Sequence, residues 1–284
     1  MTATIDTTVI DSTATPAELA FDATGAPPVG RVRTRDVIRG EWIKLSSVRS
    51  TWVTLLAAGV VTIVFGLIFS AVADSGEVAG RAALLSDPLD IALGGLSLTE
   101  MIVGVLGVLL VAGEYSTGLI RTAFAAVGRR TKVLWAKAAV LGASVFAVSA
   151  VAVTAAAVAG QAVYAGDLPT VPLTDALDVL LGATVYLTGI ALIGVALGFI
   201  LRSTAAGIAT LVGAVFIGPN LMNLLPESFT DIFVKYLPSE AGSAMMTQVS
   251  DPELLSRGAG YAVFAVWVVG MLGLAAYFVR RRDA

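Results

Sequence analysis

Six apolar runs constrain this chain more than anything else in it, because each has roughly the 20 residues that a helix needs to cross about 30 Å of hydrocarbon. They fall at about 52–73, 92–113, 133–160, 177–201, 204–225 and 259–279. Outer-membrane barrel strands would instead alternate in segments of about 10 residues. The composition agrees, since 57% of the 284 residues are hydrophobic and only 14% are charged, against about 25% charged in soluble domains. A water-facing surface needs charges that this chain lacks, so it reads as an all-α integral membrane protein with six transmembrane helices. The third run is long enough to tilt or project from the bilayer. The fourth and fifth are joined only by Arg202 and Ser203, which implies a tight hairpin.

Orientation follows from the bases. Fifteen of the 18 Lys and Arg fall on one side of the six spans: Arg31, Arg33, Arg35, Arg39, Lys44 and Arg49 before the first, Arg121, Arg129, Arg130, Lys132 and Lys137 between the second and third, Arg202, and Arg280, Arg281 and Arg282 at the end. Only Arg81, Lys235 and Arg257 fall on the other. The positive-inside rule therefore puts both termini and the 114–132 loop in the cytoplasm, and the chain in a cytoplasmic membrane. Residues 1–30 hold four acids, no base and three prolines. They read as a disordered cytoplasmic tail, without the basic start and apolar run of a secretory signal. The remaining 31–284 form one transmembrane domain.

Three segments between the runs have a pattern of their own. Residues 34–50 are too short of apolar length to span, yet place Ile38, Trp42, Leu45 and Val48 at steps of four, three and three, with bases such as Lys44 and Arg49 elsewhere. That is a helix lying in the interface, serving as an anchor for the first span or as a docking element. The loop 114–132 opens on Glu114, offers Ser116 and Thr117 as helix caps, continues with Leu119, Ile120, Phe124 and Val127 at helical spacing, and closes on Gly128 and a basic cluster. Its apolar residues either meet a partner or rest on the membrane. The outer stretch 218–258 is broken by Pro219, Pro226, Pro238 and Pro252, with an amphipathic piece at 229–237 carrying Ile232, Phe233, Tyr236 and Leu237. It is too short to cross and reads as interfacial or re-entrant, with an ordinary surface loop as the alternative.

Within the spans, small or polar residues form stripes: Gly59, Thr62, Gly66 and Ser70 on the first, Ser97, Glu100, Gly104, Gly107 and Val111 on the second, and the pair Gly194 and Gly198 on the fourth. Close helix packing explains them. Glu100 is the exception, because a carboxylate within an apolar run usually faces a cavity or a partner. Ser97, Glu100 and Gly104, with Pro219, Asn220 and Asn223 at the outer end of the fifth span, are the candidate translocation-path residues.

The catalytic inventory is poor. With no Cys and no His there is no thiolate, imidazole base or usual metal-ligand set, and no G-x-x-x-x-G-K-[ST] loop cradles a nucleotide. Asp167, Asp175 and Asp178 sit near a helix start, where the helix dipole accounts for them. The chain is expected to be neither an enzyme nor a cofactor-binding protein.

Two stretches resemble a known family. Glu41-Trp42-Ile43-Lys44-Leu45 with Val48-Arg49-Ser50-Thr51-Trp52, and Gly107-Val108-Leu109 through Glu114-Tyr115-Ser116-Thr117-Gly118-Leu119-Ile120-Arg121-Thr122, followed by Arg129-Arg130 and Lys137, are similar to the permease subunits of type-2 ATP-binding-cassette exporters of high-GC Gram-positive bacteria. The resemblance implies a membrane subunit that works as a homodimer or related heterodimer, moves a hydrophobic or amphipathic substrate outward, and takes its energy from a dimer of separate ATPase subunits that hold the ATP and Mg. It further implies that 34–48, with Ile38, Trp42, Lys44, Leu45 and Arg49, is an elbow helix. The segment 114–130 would be a coupling helix docked on the ATPase, with Glu114 holding its root, Tyr115, Ser116, Thr117, Gly118, Leu119, Ile120 and Phe124 in the docking segment, and Arg121, Arg129 and Arg130 near the contact. Residues 219–258 would be a re-entrant outer hairpin. Glu100 departs from the pattern, which calls for an uncharged residue there. The competing readings are a non-transporting scaffold or sensor that binds a partner ATPase, and a secondary transporter, disfavoured because inverted repeats are not visible and Glu100 alone would have to carry the ion coupling. Nothing in the sequence points to nucleic acid.

Overall fold

The computed structural model describes residues 32–73, 88–164, 169–222, 224, 233–247 and 255–282. The acidic tail 1–30, Arg81, Asp167, Asn223, the whole of 225–232 with Pro226 and Ile232, and Pro252 lie outside the described residues. The helical unit starts at Thr34, and the described residues form no strand.

Helix α1 (Thr34–Ser47) precedes α2 (Arg49–Val72), short α3 (Pro88–Ala92) and α4 (Leu96–Ser116). Then come α5 (Leu119–Val127), α6 (Arg130–Val163), α7 (Leu173–Leu201), α8 (Thr204–Val212), a π-helical turn (Gly213–Ile217) and α9 (Gly218–Met222). A 3₁₀ turn (Val234–Tyr236), α10 (Pro238–Met246) and α11 (Arg257–Arg281) follow. Six helical stretches are long and apolar enough to cross a membrane: α2, α4, α6, α7, Thr204–Met222 and α11. Their outer faces carry an apolar belt that includes Val53, Leu56, Val60, Val64, Val266 and Val269. Such a belt suits lipid and would be a liability in water.

Helix α7 is the most buried of the six. Around it pack α4, α6, α8, α10 and α11, while α2 leans on α6 and α4. The small residues decide how closely these helices meet. A Cβ on Gly107 would stand 2.2 Å from the carbonyl oxygen of Ala191, and one on Gly194 would stand 2.2 Å from that of Gly104. The stripes on the second and fourth spans are therefore two halves of one backbone-to-backbone contact, and between lipid-embedded helices close packing of this kind replaces the hydrophobic effect as the source of association. The stripe on α2 does the same for α3, since a Cβ on Gly66 would meet the Ala92 carbonyl oxygen at 2.3 Å, with Gly160 of α6 closing on Ala92 from the other side. The hydroxyl oxygens of Thr62 on α2 and Thr99 on α4 are hydrogen-bonded at 2.8 Å.

Three boundaries differ from the sequence reading. The second span begins at Leu96 instead of 92, because α3 and a turn through Gly94 and Gly95 intervene, and it runs on through Ser116, so Glu114 is helical. The fifth is not a uniform α-helix. Pro219 lacks an N–H and its ring crowds the carbonyl four residues back, and the preceding turn widens into the π-helix Gly213–Ile217. In the outer segment the regular helix starts at Pro238, where proline's fixed φ suits the first helical position. The amphipathic piece expected at 229–237 is, where described, a 3₁₀ turn with Phe233 and Tyr236 exposed.

Candidate functional site

Helix α1 keeps most of its apolar set exposed, as an interfacial helix requires, and turns Glu41 inward. Val37, Glu41 and Leu45 are buried, four residues apart, while Ile38, Trp42 and Val48 are exposed on the other side. The inward face therefore carries a carboxylate between two aliphatic residues, and that carboxylate needs a cation. Lys137 supplies it. Its side chain is 1% exposed, and its ammonium donates to Glu41 Oε2 at 2.7 Å and to Glu114 Oε1 at 2.8 Å. Lys44, one turn along α1, donates to Glu41 Oε1 at 2.9 Å and lies 3.5 Å from Glu114 Oε1. Two acids and two bases thus join α1, the last turn of α4 and the second turn of α6. Burial alone pushes the Glu41 carboxyl up, but Lys137 and Lys44 together hold it below its ordinary 4.5. Burial pulls Lys44 down, and Glu41 with Glu114 overcomes this and sets it above 10.5. Edge-to-face contact of Trp42 with Trp52 at 6.3 Å links α1 to α2.

From this cluster the chain enters α5 through Gly118 at φ +75°, and leaves it through Gly128 at φ +69°, whose N–H bonds the Phe124 carbonyl. Both are left-handed positions that favour glycine. Ser116 and Thr117 do not cap α5, as their spacing had suggested. Both hydroxyls donate to the Gly113 carbonyl and so finish α4, leaving the sharp turn to Gly118. Ile120 and Phe124 are buried against the bundle, and Leu119 is 56% exposed beside exposed Arg121, Thr122, Ala125, Ala126 and Arg129. One face of this short helix is spent on holding it, and the other is open. The Arg130 guanidinium lies over the Phe124 ring at 5.9 Å and donates to the carbonyl of Arg282 at 2.9 Å. Arg202, left-handed at φ +53°, places its guanidinium over Tyr115 at 5.1 Å and also donates to the Arg282 carbonyl. Arg282 returns a bond to the Ile200 carbonyl at 3.1 Å. The ends of α4, α7 and α11 and the start of α6 are tied together beside α5.

No protein-family model matches this chain, and no curated protein matches it.

The translocation-path candidates are dispersed. Glu100 is buried, and its Oε2 accepts a hydrogen bond from the Tyr186 hydroxyl of α7. The Tyr186 ring is in turn covered by α10 at Gly242, where a Cβ would meet it at 2.3 Å. Gly104 lies at the α4–α7 contact and against Leu211, Ser97 is exposed, Pro219 is buried, and exposed Asn220 bonds the Phe216 carbonyl at 2.6 Å. Asn223 is outside the described residues. Asp178, at the other end of α7, pairs with Arg257 at 2.6 Å, and Arg257 also bonds the Thr247 carbonyl at 3.1 Å, which staples the starts of α7 and α11 to the end of α10. Among the described residues no group of His, Cys, Asp and Glu could hold a metal ion.

The residue that the sequence reading did not assign a role is Glu41. Its signal was present: Lys137 stands four residues inside an apolar run and demands an acid, and Glu41 sits between Val37 and Leu45 at helical spacing.

Proposed function

We propose that this chain is the membrane-spanning permease subunit of a type-2 ATP-binding-cassette exporter, working as a dimer with a second permease copy on a pair of separate ATPase subunits. The observation that carries the proposal is α5: a short helix between two left-handed glycines, held by Ile120 and Phe124, open on its Leu119 face, and rooted in the ion cluster through Glu114. A loop that only reversed the chain would need neither the buried anchor nor the exposed apolar residue. In this reading both termini and α5 are cytoplasmic, which matches the 15 bases on that side. Helix α1 is the elbow helix, with Ile38 and Trp42 toward lipid and Glu41 toward the bundle. α10 is the descending part of a re-entrant outer hairpin, and its packing on Gly182 and Tyr186 of α7 and Gly260 of α11 supports that placement. ATP binding closes the ATPase dimer, α5 moves with it, and the cluster passes the motion to α1 and α6. The ATP and Mg belong to the partner.

The test is purification of the tagged chain from its host membrane. An ATP-binding-cassette ATPase is expected with it, lost in Leu119→Asp combined with Arg121→Glu, while both proteins melt at the wild-type temperature. Undiminished association in that double variant, or ATP hydrolysis by the permease alone, would overturn the assignment.

A further inference from the structure

A cleft of about 570 Å³ opens beside the ion cluster, between α1, the first turns of α2 and the last turns of α4. This lies within the ~300–1,000 Å³ range of small-molecule sites. Its two ends differ chemically. One is lined by Leu106, Leu109, Leu110 and Val140, and the other by Lys44, Ser47 and Ser50. From Leu106 to Glu114 on α4 the lining extends roughly 12 Å at 1.5 Å per residue, the length scale of a headgroup with part of a chain. Glu41 and Glu114 also line it, but their side chains are 7% and 15% exposed against 47% for Lys44, so the charge that a ligand meets is positive. The Lys44 ammonium has three N–H groups, of which the Glu41 and Glu114 carboxylates face two. Helix α2 begins at the same end, after Val48, with no side-chain cap. Leu109 is 44% exposed, so the apolar end of the cleft is continuous with the belt that faces lipid.

We propose that this cleft is a binding site for a phospholipid of the adjoining leaflet, its phosphate at Lys44 Nζ and Ser50 and its acyl chain along Leu106, Leu109 and Leu110. An amphiphile with an anionic head and an apolar tail is the one occupant that satisfies both ends at once. The bilayer presents it at this depth, where α1 lies across the end of the spans. Leu119 of α5 also lines the cleft, so the lipid site borders the face proposed for ATPase docking, and binding is therefore measured on the chain without its partner.

The experiment is native mass spectrometry of the delipidated, detergent-solubilised chain titrated with dioleoylphosphatidylglycerol, dioleoylphosphatidylcholine, dioleoylglycerol and inorganic phosphate. Both phospholipids are expected to bind at one saturable site, dioleoylglycerol about tenfold more weakly for want of the charge-assisted hydrogen bond to phosphate, and inorganic phosphate not to compete. Lys44→Gln should lose about tenfold in affinity through the head. Leu109→Trp, which fills the cleft from its exposed rim and leaves the ion cluster intact, should abolish saturable binding. Val266→Trp on the lipid-facing surface of α11 should change nothing. Wild-type binding in Leu109→Trp, equal affinity for dioleoylglycerol, or displacement by inorganic phosphate at the lipid's own concentration would each overturn the proposal.

Discussion

Lys137→Met removes one ammonium and little volume, and so isolates what the buried cluster contributes. Lys137 touches two carboxylates, at 2.7 and 2.8 Å. At an effective dielectric constant of about 20, each contact amounts to roughly 6 kcal/mol of gross Coulomb attraction. Desolvation of the three ions, at several kcal/mol each, offsets most of this. The variant does not recover that offset, because Glu41 and Glu114 stay buried with only Lys44 left to face them. Breaking a buried pair from one side costs about 3–5 kcal/mol. At ~2–4 °C per kcal/mol for a chain of this order, the melting temperature in detergent should fall by roughly 10 °C. The triple variant Glu41→Gln, Glu114→Gln, Lys137→Met removes the stranded charges along with their partner and should recover most of that loss, since neutral replacement of a whole buried cluster is about neutral or better. The pair of measurements separates charge from shape. A single variant melting within about 1 °C of wild type, or a triple variant no more stable than the single, would refute the account of the cluster as a mutually dependent set of buried ions.

Other outcomes follow from the same packing. Gly107→Ala places a methyl against the Ala191 carbonyl oxygen and should destabilise by about 1–3 kcal/mol. Gly113→Ala, six residues along with nothing within 4 Å of its added carbon, should gain about 0.5–1 kcal/mol in thermal melts from helix propensity. Ile120→Asp buries a carboxylate where Ile120 is 1% exposed and should lower the melting temperature, whereas Leu119→Asp should leave it unchanged; equal effects would mean that α5 is not seated as described. The pH dependence of α1 docking, followed by tryptophan fluorescence, has two limbs. The Glu41 contribution is complete above 4.5 and is lost as pH falls through its depressed value, while the Lys44 contribution is complete below 10.5 and is lost as pH rises through its raised value. Glu41→Gln should flatten the acid limb, and Lys44→Gln the alkaline one.

Much of the architecture was legible because lipid is an undemanding solvent to read. A helix that must satisfy its own backbone in hydrocarbon announces itself as about 20 unbroken apolar residues, and the six runs did so. The small stripes were legible too, as close-packing faces. What could not be read was which stripes meet, since 3.6-residue periodicity marks a face and not its neighbour. The apolar face of α1 was legible, with Ile38 and Trp42 exposed as an interfacial helix requires, but the turning of Glu41 toward the bundle was not. Apolar spacing finds the inside of a helix only when the outside is water, and where the outside is lipid, Ile38 and Trp42 belong there and a carboxylate belongs within. Ser116 and Thr117 show the same limit at short range: a hydroxyl before a helix and after another can cap either, and the positive φ of Gly118 decided it.

By itself, then, the sequence determined an all-helical chain with six stretches able to cross a membrane, most of its bases toward one side, a short amphipathic helix after the second, and no residues for metal or nucleotide chemistry of the usual kinds. The tertiary structure decided that Glu41, Lys44, Glu114 and Lys137 are one object. These four are spread over 97 positions of sequence, and ion pairing acts through distance in space, with no periodicity to record it. The cleft beside them exists for the same reason, as the space left where α1, α2 and α4 converge.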